Sequence, residues 1–189
     1  KHPKIEGELE KLTIVQIDAH ADLRDELNGE RFSHGTVIRR TLEEDVGKII
    51  QIGVRAYSSE EKEIIEGNER VKTWFARDLI SIDSEHSNWN KMINQIKNLS
   101  GPVWLSFDID GLDGILVPAT GTPVPGGLSF WGANKIIQEL FNAKDSQVIG
   151  ADVNEISTSP NTNLTEFSAA LIATKIITCH IMSMKGDLP

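Results

Sequence analysis

The stretch that decides the fold is Leu12-Thr-Ile-Val-Gln-Ile-Asp-Ala-His-Ala-Asp22. Its first half is mostly apolar and β-prone, which predicts a buried strand over Leu12–Ile17. Its second half places two carboxylates and an imidazole directly after that strand. We therefore expect the chemistry of this protein at the carboxyl end of a strand.

A second stretch repeats this arrangement further along the chain. The apolar run Val103–Leu105 leads into Ser106-Phe-Asp-Ile-Asp110. Alternate side chains of an extended strand share a face, so each stretch should present its polar side chains together. The two strand ends thus predict a group of four carboxylates and one imidazole: Asp18, His20, Asp22, Asp108 and Asp110.

Four carboxylates in one place repel one another and raise one another's pKa, so the group favours bound cations. Oxygen ligands with one histidine suit Mn²⁺, with Zn²⁺, Fe²⁺ or Co²⁺ as further possibilities. Asp18 and Asp22 are about 13 Å apart in an extended chain at ~3.3 Å per residue. Either the chain curls there or two ions share the cluster, and two ions about 3.5–4 Å apart would hold a bridging hydroxide.

The pattern Asp-x-His-x-Asp is not specific by itself. Alone it also fits a polar strand end that carries a helix-capping aspartate. The second carboxylate pair, also at a strand end, favours a dinuclear hydrolase over that simpler interpretation.

Strands and helices are predicted to alternate along the chain. The predicted strands are Leu12–Ile17, Ile49–Val54, Val71–Phe75, Val103–Phe107 and Gln147–Val153. Segments of helical character separate them, which predicts an α/β fold with a mainly parallel sheet. Ligands of open α/β folds collect at the carboxyl ends of strands, where the three polar groups Asp18–Asp22, Asp108–Asp110 and Asp152–Glu155 fall.

Two helices carry informative patterns. Ser129 is expected to cap a helix whose apolar face begins at Ala133. The segment from Phe167 to Ile181 is apolar nearly all round, which predicts a helix packed on several neighbours. The acidic run Glu60–Glu63 is expected on a solvated helix face. Pro118–Gly127 is expected to form a loop lining the site, or a rigid connector.

Composition excludes some classes of function. The 189 residues are 39% hydrophobic and 25% charged, with a net charge of −9, which disfavours nucleic acid and anionic membranes as partners. No apolar stretch is expected to reach the ~20 residues of a membrane span, and no signal peptide opens the chain. We therefore expect a cytoplasmic protein. The single cysteine, Cys179, is expected in the core.

Five ordered blocks of the sequence resemble the ureohydrolase family of arginases and agmatinases. They are Asp18-Ala-His-Ala-Asp-Leu-Arg-Asp-Glu26, Phe32-Ser-His-Gly-Thr36, Ser106-Phe-Asp-Ile-Asp-Gly-Leu-Asp113, Pro118-Ala-Thr-Gly-Thr-Pro-Val-Pro-Gly-Gly-Leu-Ser129, and Asp152-Val-Asn-Glu-Ile156 with Leu164-Thr-Glu-Phe-Ser-Ala-Ala170. The first two blocks look closer to agmatinases. Arginases usually carry at the position of Arg24 an asparagine that helps hold the amino acid head of arginine, so its absence favours a decarboxylated substrate.

The resemblance implies a three-layer αβα fold of the arginase/deacetylase type and two manganese ions per subunit. It implies that Asp18 and Asp108 bridge the two ions, and that Asp22 completes the shell of the first. His20 and Asp110 are implied to complete the shell of the second ion.

The resemblance also implies a reaction, the hydrolysis of agmatine to putrescine and urea by a metal-bridging hydroxide, as part of polyamine biosynthesis. Asp22 is implied to hold the hydroxide, His34 to shuttle a proton and Glu155 to pair with the guanidinium. These residue types suit the roles, because an imidazole relays protons near neutral pH and a carboxylate matches a guanidinium fork. From the residues alone, His34 also fits a capping or surface position, and Glu155 a solvent-exposed or capping carboxylate.

The alternatives are another ureohydrolase, acting as arginase, guanidinobutyrase or formimidoylglutamase, and a non-catalytic degenerate relative. Arg24 is a conceivable anchor for a substrate carboxylate, which keeps the other guanidino substrates open.

Three departures from the family pattern are visible. The family supplies a further histidine from an upstream Gly-Gly-Asp/Glu-His segment that this sequence does not contain, and His2, between lysines and beside proline, is expected at the surface instead. Gly114 stands where the family commonly has proline. Ser157-Thr-Ser-Pro160 delays a proline that usually comes earlier. We therefore expect residues 1–189 to form the later part of one ureohydrolase-like domain, in a homo-oligomer, trimeric or hexameric as is common in the family, that binds a small cationic guanidino substrate.

Overall fold

The structure is a computed structural model that describes residues 8–79 and 87–185. His2 lies outside these ranges. Within these ranges there are five strands: β1 Thr13–Ile17, β2 Lys48–Val54, β3 Val71–Phe75, β4 Ser100–Asp108 and β5 Asp145–Asn154. They form one parallel sheet in the order β3-β2-β1-β4-β5.

All five predicted strands are confirmed, with ends that differ from the prediction by three residues at most. Every residue of β1 is buried, because it is the middle strand and both its faces are covered. That central position is why the run from Leu12 to Ile17 is apolar except for Thr13 and Gln16.

Helices cover both faces of the sheet and give it three layers. One face packs against α1 Val37–Glu43 and α2 Ser59–Gly67. The opposite face packs against α4 Asn88–Lys97, α5 Phe130–Asn142 and α6 Leu164–Lys185. The short helix α3, Ala76–Leu79, follows β3 directly. The predicted αβα arrangement is confirmed.

The helix α5 begins as the sequence predicts. The side chain of Ser129 accepts a hydrogen bond from the Gly132 N–H at 3.0 Å, so one of the free amide groups of the first turn is satisfied. The predicted apolar face is buried between α4 and α6. This part of the core supports the sheet from the side opposite to α1 and α2.

The helix α6 packs against α5, β5 and the turn after β4, as predicted. It differs from expectation in two other respects. First, the side of α6 that faces away from these elements is exposed and includes Phe167, Leu171 and Ile177. Second, by length and composition α6 is apolar enough to cross a membrane, so the expectation that no stretch qualifies is wrong. Helices packed on the core of a domain pass the same test, and α6 buries Ile172 and Cys179 in this way.

Candidate metal centre

The chain curls at the end of β1 instead of continuing as an extended strand. β1 ends at Ile17, and Asp22 has a left-handed backbone with φ of 55°. The Asp22 carbonyl accepts the N–H groups of Ile38 and Arg39, each at 3.1 Å, so the first turn of α1 holds the curl. The expectation that three alternate side chains share one face of an extended strand is wrong, because the curl brings Asp22 back toward Asp18.

Asp18 is buried and both of its carboxylate oxygens are already oriented. Oδ1 accepts the backbone N–H of His20 at 2.6 Å, and Oδ2 accepts the Gln16 side-chain amide at 2.7 Å. The same amide lies 3.4 Å from Asp22 Oδ2. One donor therefore contacts carboxylates from both ends of the curl.

The second predicted pair lies where β4 ends. Asp108 is the last residue of β4, and Asp110 lies in the short 3₁₀ turn Ile109–Gly111. Asp108 Oδ1 accepts the Asp110 N–H at 2.9 Å, and Asp110 Oδ1 accepts the Ala19 N–H at 3.0 Å. The second of these hydrogen bonds ties the end of β4 to the end of β1.

The close approach of the two strand ends depends on Gly111. A Cβ atom at this position would lie 2.8 Å from the Ile17 side chain and 2.9 Å from the Asp18 backbone nitrogen. Only glycine can occupy the position without displacing the backbone that carries Asp18.

The structure brings three of the five predicted ligands into one group. His20 Nδ1 lies 3.1 Å from Asp110 Oδ2 and 3.5 Å from Asp18 Oδ1. One ligand atom from each of the three residues lies within 4.8 Å of the other two. Asp110 Oδ2 is buried and has no hydrogen bond of regular geometry within the described residues, although His20 Nδ1 lies 3.1 Å away. A buried carboxylate oxygen facing an imidazole nitrogen and a second carboxylate fits a divalent cation.

The acidic groups carry the electrostatic signature of a cation site. Burial is the main cause that raises the pKa of Asp22 to about 9 and the pKa of Asp108 to about 9, and the neighbouring carboxylates add to it. Burial also raises the pKa of Asp18. The carboxylates of Asp110 and Asp18, which lie 3.1 Å and 3.5 Å from Nδ1, raise the pKa of His20 to about 10. The group thus holds protons where divalent ions would relieve the same repulsion.

A pocket of about 920 Å³ opens over this group, and all five predicted ligands line it. His34 and Glu155 line the same pocket. His34 begins a 3₁₀ turn over His34–Thr36, in which Thr36 Oγ1 accepts the N–H of Ser33 at 3.0 Å. Glu155 follows β5 with a left-handed backbone, φ of 57°, and its side chain is exposed. Thr122, from the predicted site loop, also lines the pocket.

Two residues of this region were missed by reasoning from the sequence. Arg55 is half-buried, and its guanidinium donates to the carbonyls of Gly53, Asp110, Leu112 and Val124 at 2.6–3.1 Å. It fastens the loop after β4 to the end of β2. The signal available was a single arginine directly after the predicted strand Ile49–Val54.

The second missed residue is Glu61, which was expected on a solvated helix face. It is buried and accepts the backbone N–H groups of Leu23 at 3.1 Å and Ser58 at 2.7 Å. Ser58 and Glu61 form a capping box at the start of α2, a pattern that is visible in the sequence. Glu61 Oε2 also lies 3.7 Å from Arg24 Nε, and both residues line the pocket.

The fold, the strand-end acidic groups and the pocket together define a candidate metal centre at the carboxyl edge of a parallel α/β sheet, and comparison with known proteins gives the family. The sequence pattern of the Arginase family matches residues 4–179. The chain belongs to the arginase family.

Individual relatives agree with that assignment. The chain is 36% identical to the agmatinase of Pyrococcus horikoshii over 169 residues, covering 89% of this chain and 56% of that protein. It is 36% identical to the guanidinobutyrase of Pseudomonas aeruginosa over 169 residues, covering 82% of this chain and 49% of that protein. The chain spans about half the length of these curated relatives.

A solved structure matches nearly the whole fold. The agmatine ureohydrolase of Thermoplasma volcanium superposes with a TM-score of 0.77 at 28% identity, covering 98% of this chain and 62% of that one. The predicted resemblance to ureohydrolases is confirmed.

Proposed function

We propose that this chain carries the metal-binding and substrate-binding parts of a manganese ureohydrolase that cleaves agmatine to putrescine and urea. The observation that carries the proposal is the group of Asp18, His20 and Asp110 beneath the pocket, in which Asp110 Oδ2 is buried without a hydrogen bond to any described residue. Membership of the arginase family supports the reaction class. The reaction is the hydrolysis of a C–N bond in a linear amidine.

The proposed site holds two Mn²⁺ ions. Asp18 and Asp108 would contact both ions. Asp22 would complete the coordination of one ion, and His20 and Asp110 would complete the coordination of the other. Support comes from the raised pKa values of Asp22 and Asp108, since partial burial and the neighbouring carboxylates both oppose the ionisation of these groups. When bound, the ions supply the nucleophile by lowering the pKa of a water molecule.

The remaining roles belong to side chains around the pocket. Glu155 is exposed to the pocket and can accept two parallel hydrogen bonds from a guanidinium group. In this proposal it holds the planar end of the substrate above the ligand group. Asp22 orients the attacking water and accepts its proton, and His34 relays a proton to the departing amine. The acidic lining favours a cationic substrate over an anionic one.

A second candidate substrate is a guanidino acid such as 4-guanidinobutyrate. Arg24 lines the pocket, and its side chain is 43% exposed although Glu61 lies 3.7 Å away. A partly free guanidinium at this position could anchor a substrate carboxylate. The equal identity to an agmatinase and to a guanidinobutyrase supports both candidates alike.

We further propose that residues 1–189 belong to one ureohydrolase domain of a cytoplasmic homo-oligomer, trimeric or hexameric, that serves polyamine biosynthesis. The exposed apolar side of α6 supports burial against further protein, since large apolar patches mark interaction surfaces.

Urea release tests the proposed function. The full chain is loaded with Mn²⁺ and incubated separately with agmatine, 4-guanidinobutyrate and arginine at equal concentrations. We expect the fastest release from agmatine, and none after chelation with EDTA. Faster release from 4-guanidinobutyrate would favour the second candidate. Absence of release from all three by protein with two bound ions would overturn the catalytic proposal and favour a non-catalytic relative.

A further inference from the structure

A row of polar side chains crosses the sheet just below the candidate metal centre. Gln16 of β1 pairs with Gln51 of β2, and Gln51 pairs with Thr73 of β3. All three side chains are buried, on the face that packs against α1 and α2. The residues two positions earlier in these strands lie on the same face and are apolar: Ile14, Ile49 and Val71. Burying two amides and a hydroxyl costs free energy unless each of them is hydrogen-bonded. The presence of three buried polar side chains in one row therefore calls for hydrogen-bond partners and for a role.

Hydrogen bonds join the three side chains into a relay with one direction. Thr73 Oγ1 donates to Gln51 Oε1 at 2.8 Å, and Gln51 Nε2 donates to Gln16 Oε1 at 2.7 Å. Gln16 Nε2 then donates to Asp18 Oδ2 at 2.7 Å and contacts Asp22 Oδ2 at 3.4 Å. Each carboxamide thus uses its oxygen toward β3 and its amino group toward the ligands.

The relay has a second end on the backbone of the curl. Gln51 Nε2 also donates to the carbonyl of Ala21 at 2.7 Å, between two of the predicted ligands. A carbonyl can only accept, so this contact fixes which way the Gln51 amide faces. The Gln51 oxygen is thereby left facing the Thr73 hydroxyl. Every side-chain donor of the network has an acceptor, and buried networks of this kind hold one geometry.

We propose that Gln16, Gln51 and Thr73 are positioning residues that orient Asp18 and the curl of residues 18–22 for metal binding. This inference rests on the proposed function, because it requires that the carboxylates bind metal. Residues that hydrogen-bond to metal ligands fix the orientation of those ligands. Removing such a residue typically weakens metal binding by about 10- to 100-fold. None of the three side chains needs to touch the ions or the substrate.

Variants of similar volume test the relay. Gln16→Met removes the donor to Asp18, and we expect the Kd for Mn²⁺ to rise by about 10- to 100-fold. Thr73→Val removes the first donor, two strands from Asp18, and we expect a rise of about 10-fold, the lower end of that range. Thr73→Ser keeps the hydroxyl and should retain the wild-type Kd. Isothermal titration calorimetry of the metal-free protein with Mn²⁺ measures each value.

Thr13→Val is the matched control. Thr13 is a buried threonine of β1 on the opposite face of the sheet from Gln16, and its side chain takes no part in the relay. It undergoes the same chemical change as Thr73→Val, so an effect of losing any buried hydroxyl would appear in both. We expect the Kd of Thr13→Val to equal that of the wild type.

A second readout separates positioning from a general loss of stability. Urea release measured against Mn²⁺ concentration should shift to higher Mn²⁺ for Gln16→Met and Thr73→Val. At saturating Mn²⁺, kcat and the KM for agmatine should return to wild-type values, which a damaged fold would not allow. If Gln16→Met does not fold, the Thr73→Val and Thr73→Ser pair still decides the question.

The outcomes distinguish the two proposals. Wild-type protein that binds no Mn²⁺ would overturn both. Wild-type protein that binds Mn²⁺, with folded Gln16→Met or Thr73→Val binding it equally well, would overturn the relay and leave the proposed function standing.

Discussion

His20 Nδ1 lies 3.1 Å from Asp110 Oδ2, and this contact joins the ends of β1 and β4 across the candidate metal centre. The two residues come from separate stretches of the sequence, each behind a buried strand. Adjacent parallel strands end at the same edge of the sheet, so these stretches meet once β1 and β4 pair. With no metal bound, the raised pKa values of His20, Asp22 and Asp108 indicate that the cluster shares protons at neutral pH.

That sharing predicts how the stability of the metal-free protein depends on pH. The pKa of His20 is raised from 6.5 to about 10, and the pKa of Asp22 from 3.8 to about 9. Between pH 3.8 and about 9 for Asp22, and between pH 6.5 and about 10 for His20, the native state binds more protons than the unfolded state. The free energy of unfolding therefore falls as pH rises through these ranges. For His20 the contribution is complete below pH 6.5 and is lost as pH rises through about 10. The pKa of Asp110 is lowered, so Asp110 contributes to the pH dependence of stability with the opposite sign. That contribution changes only below pH 3.8, where the unfolded carboxyl group takes up its proton.

Urea unfolding between pH 6 and pH 9.5, with EDTA present, measures this dependence. We expect a steady loss of stability with pH in EDTA and a gain with pH when Mn²⁺ is present, because metal competes with protons for the same ligands. The variant His20→Gln should flatten the EDTA curve. A curve in EDTA that rises with pH would contradict the proton sharing.

Removing a predicted ligand should remove metal binding. Asp110→Asn keeps the shape of the side chain but loses its charge, and we expect Mn²⁺ binding to weaken by more than about 100-fold, beyond the usual effect of losing a partner of a ligand. Calorimetric titration measures it. Asp145→Asn is the control, since Asp145 is exposed at the opposite end of β5. Equal affinity in Asp110→Asn and the wild type would rule Asp110 out as a ligand.

Arg55 is predicted to stabilise the fold around the site. Its guanidinium donates to four backbone carbonyls, including those of Asp110 and Val124. Arg55→Met leaves these acceptors without their donor, at about 1–3 kcal/mol for each one that stays buried. We expect the free energy of unfolding to fall by roughly 3 kcal/mol or more in chemical denaturation. Arg31→Met, at an exposed arginine, should change it by less than about 1 kcal/mol.

The sequence predicts the sheet well because its signals are local. Most of the predicted strands are short and largely apolar runs, and β1 and β4 lead directly into the acidic groups. The curl at Asp22 was not predictable in the same way. Its left-handed backbone is held by α1 and Gln51, which are distant in sequence, so a strict alternation of side chains gave the wrong geometry.

Buried polar residues mark the other limit of reasoning from sequence. Gln16 and Gln51 stand inside apolar runs, where a glutamine interrupts an otherwise continuous strand pattern. Such an interruption indicates a specific partner, but the partner is known only after strand order and register are known. The exposed side of α6 was missed for a related reason, since an apolar helix surface does not reveal what covers it.

Glu155 is predicted to bind the guanidinium group. Glu155→Gln keeps the size of the side chain but loses the charge that pairs with the substrate. A hydrogen bond to a charged group contributes about 1.5–3 kcal/mol, so we expect kcat/KM for agmatine to fall by roughly 10- to 100-fold. Mn²⁺ affinity should not change, because Glu155 is not among the predicted ligands. Steady-state urea release and calorimetry on the same samples check both statements, and unchanged kcat/KM would exclude the role.

Arg24 is predicted to set the choice between cationic and anionic substrates. Its guanidinium lines the pocket and is only partly offset by Glu61, at 3.7 Å. Agmatine and 4-guanidinobutyrate share the guanidinium end and differ in carrying an ammonium or a carboxylate at the other end. Removing a positive charge should therefore move their KM values in opposite directions.

The variant Arg24→Gln tests this with both substrates. A partly exposed charge contributes about 0.2–1 kcal/mol, so we expect KM for agmatine to fall by about 1.5- to 5-fold and KM for 4-guanidinobutyrate to rise by a similar factor. Arg31→Gln, an exposed arginine that does not line the pocket, should alter neither value. A shift of both KM values in the same direction would mean that Arg24 supports the pocket through Glu61, whose buried carboxylate also holds the backbone of Leu23, and does not contact the substrate.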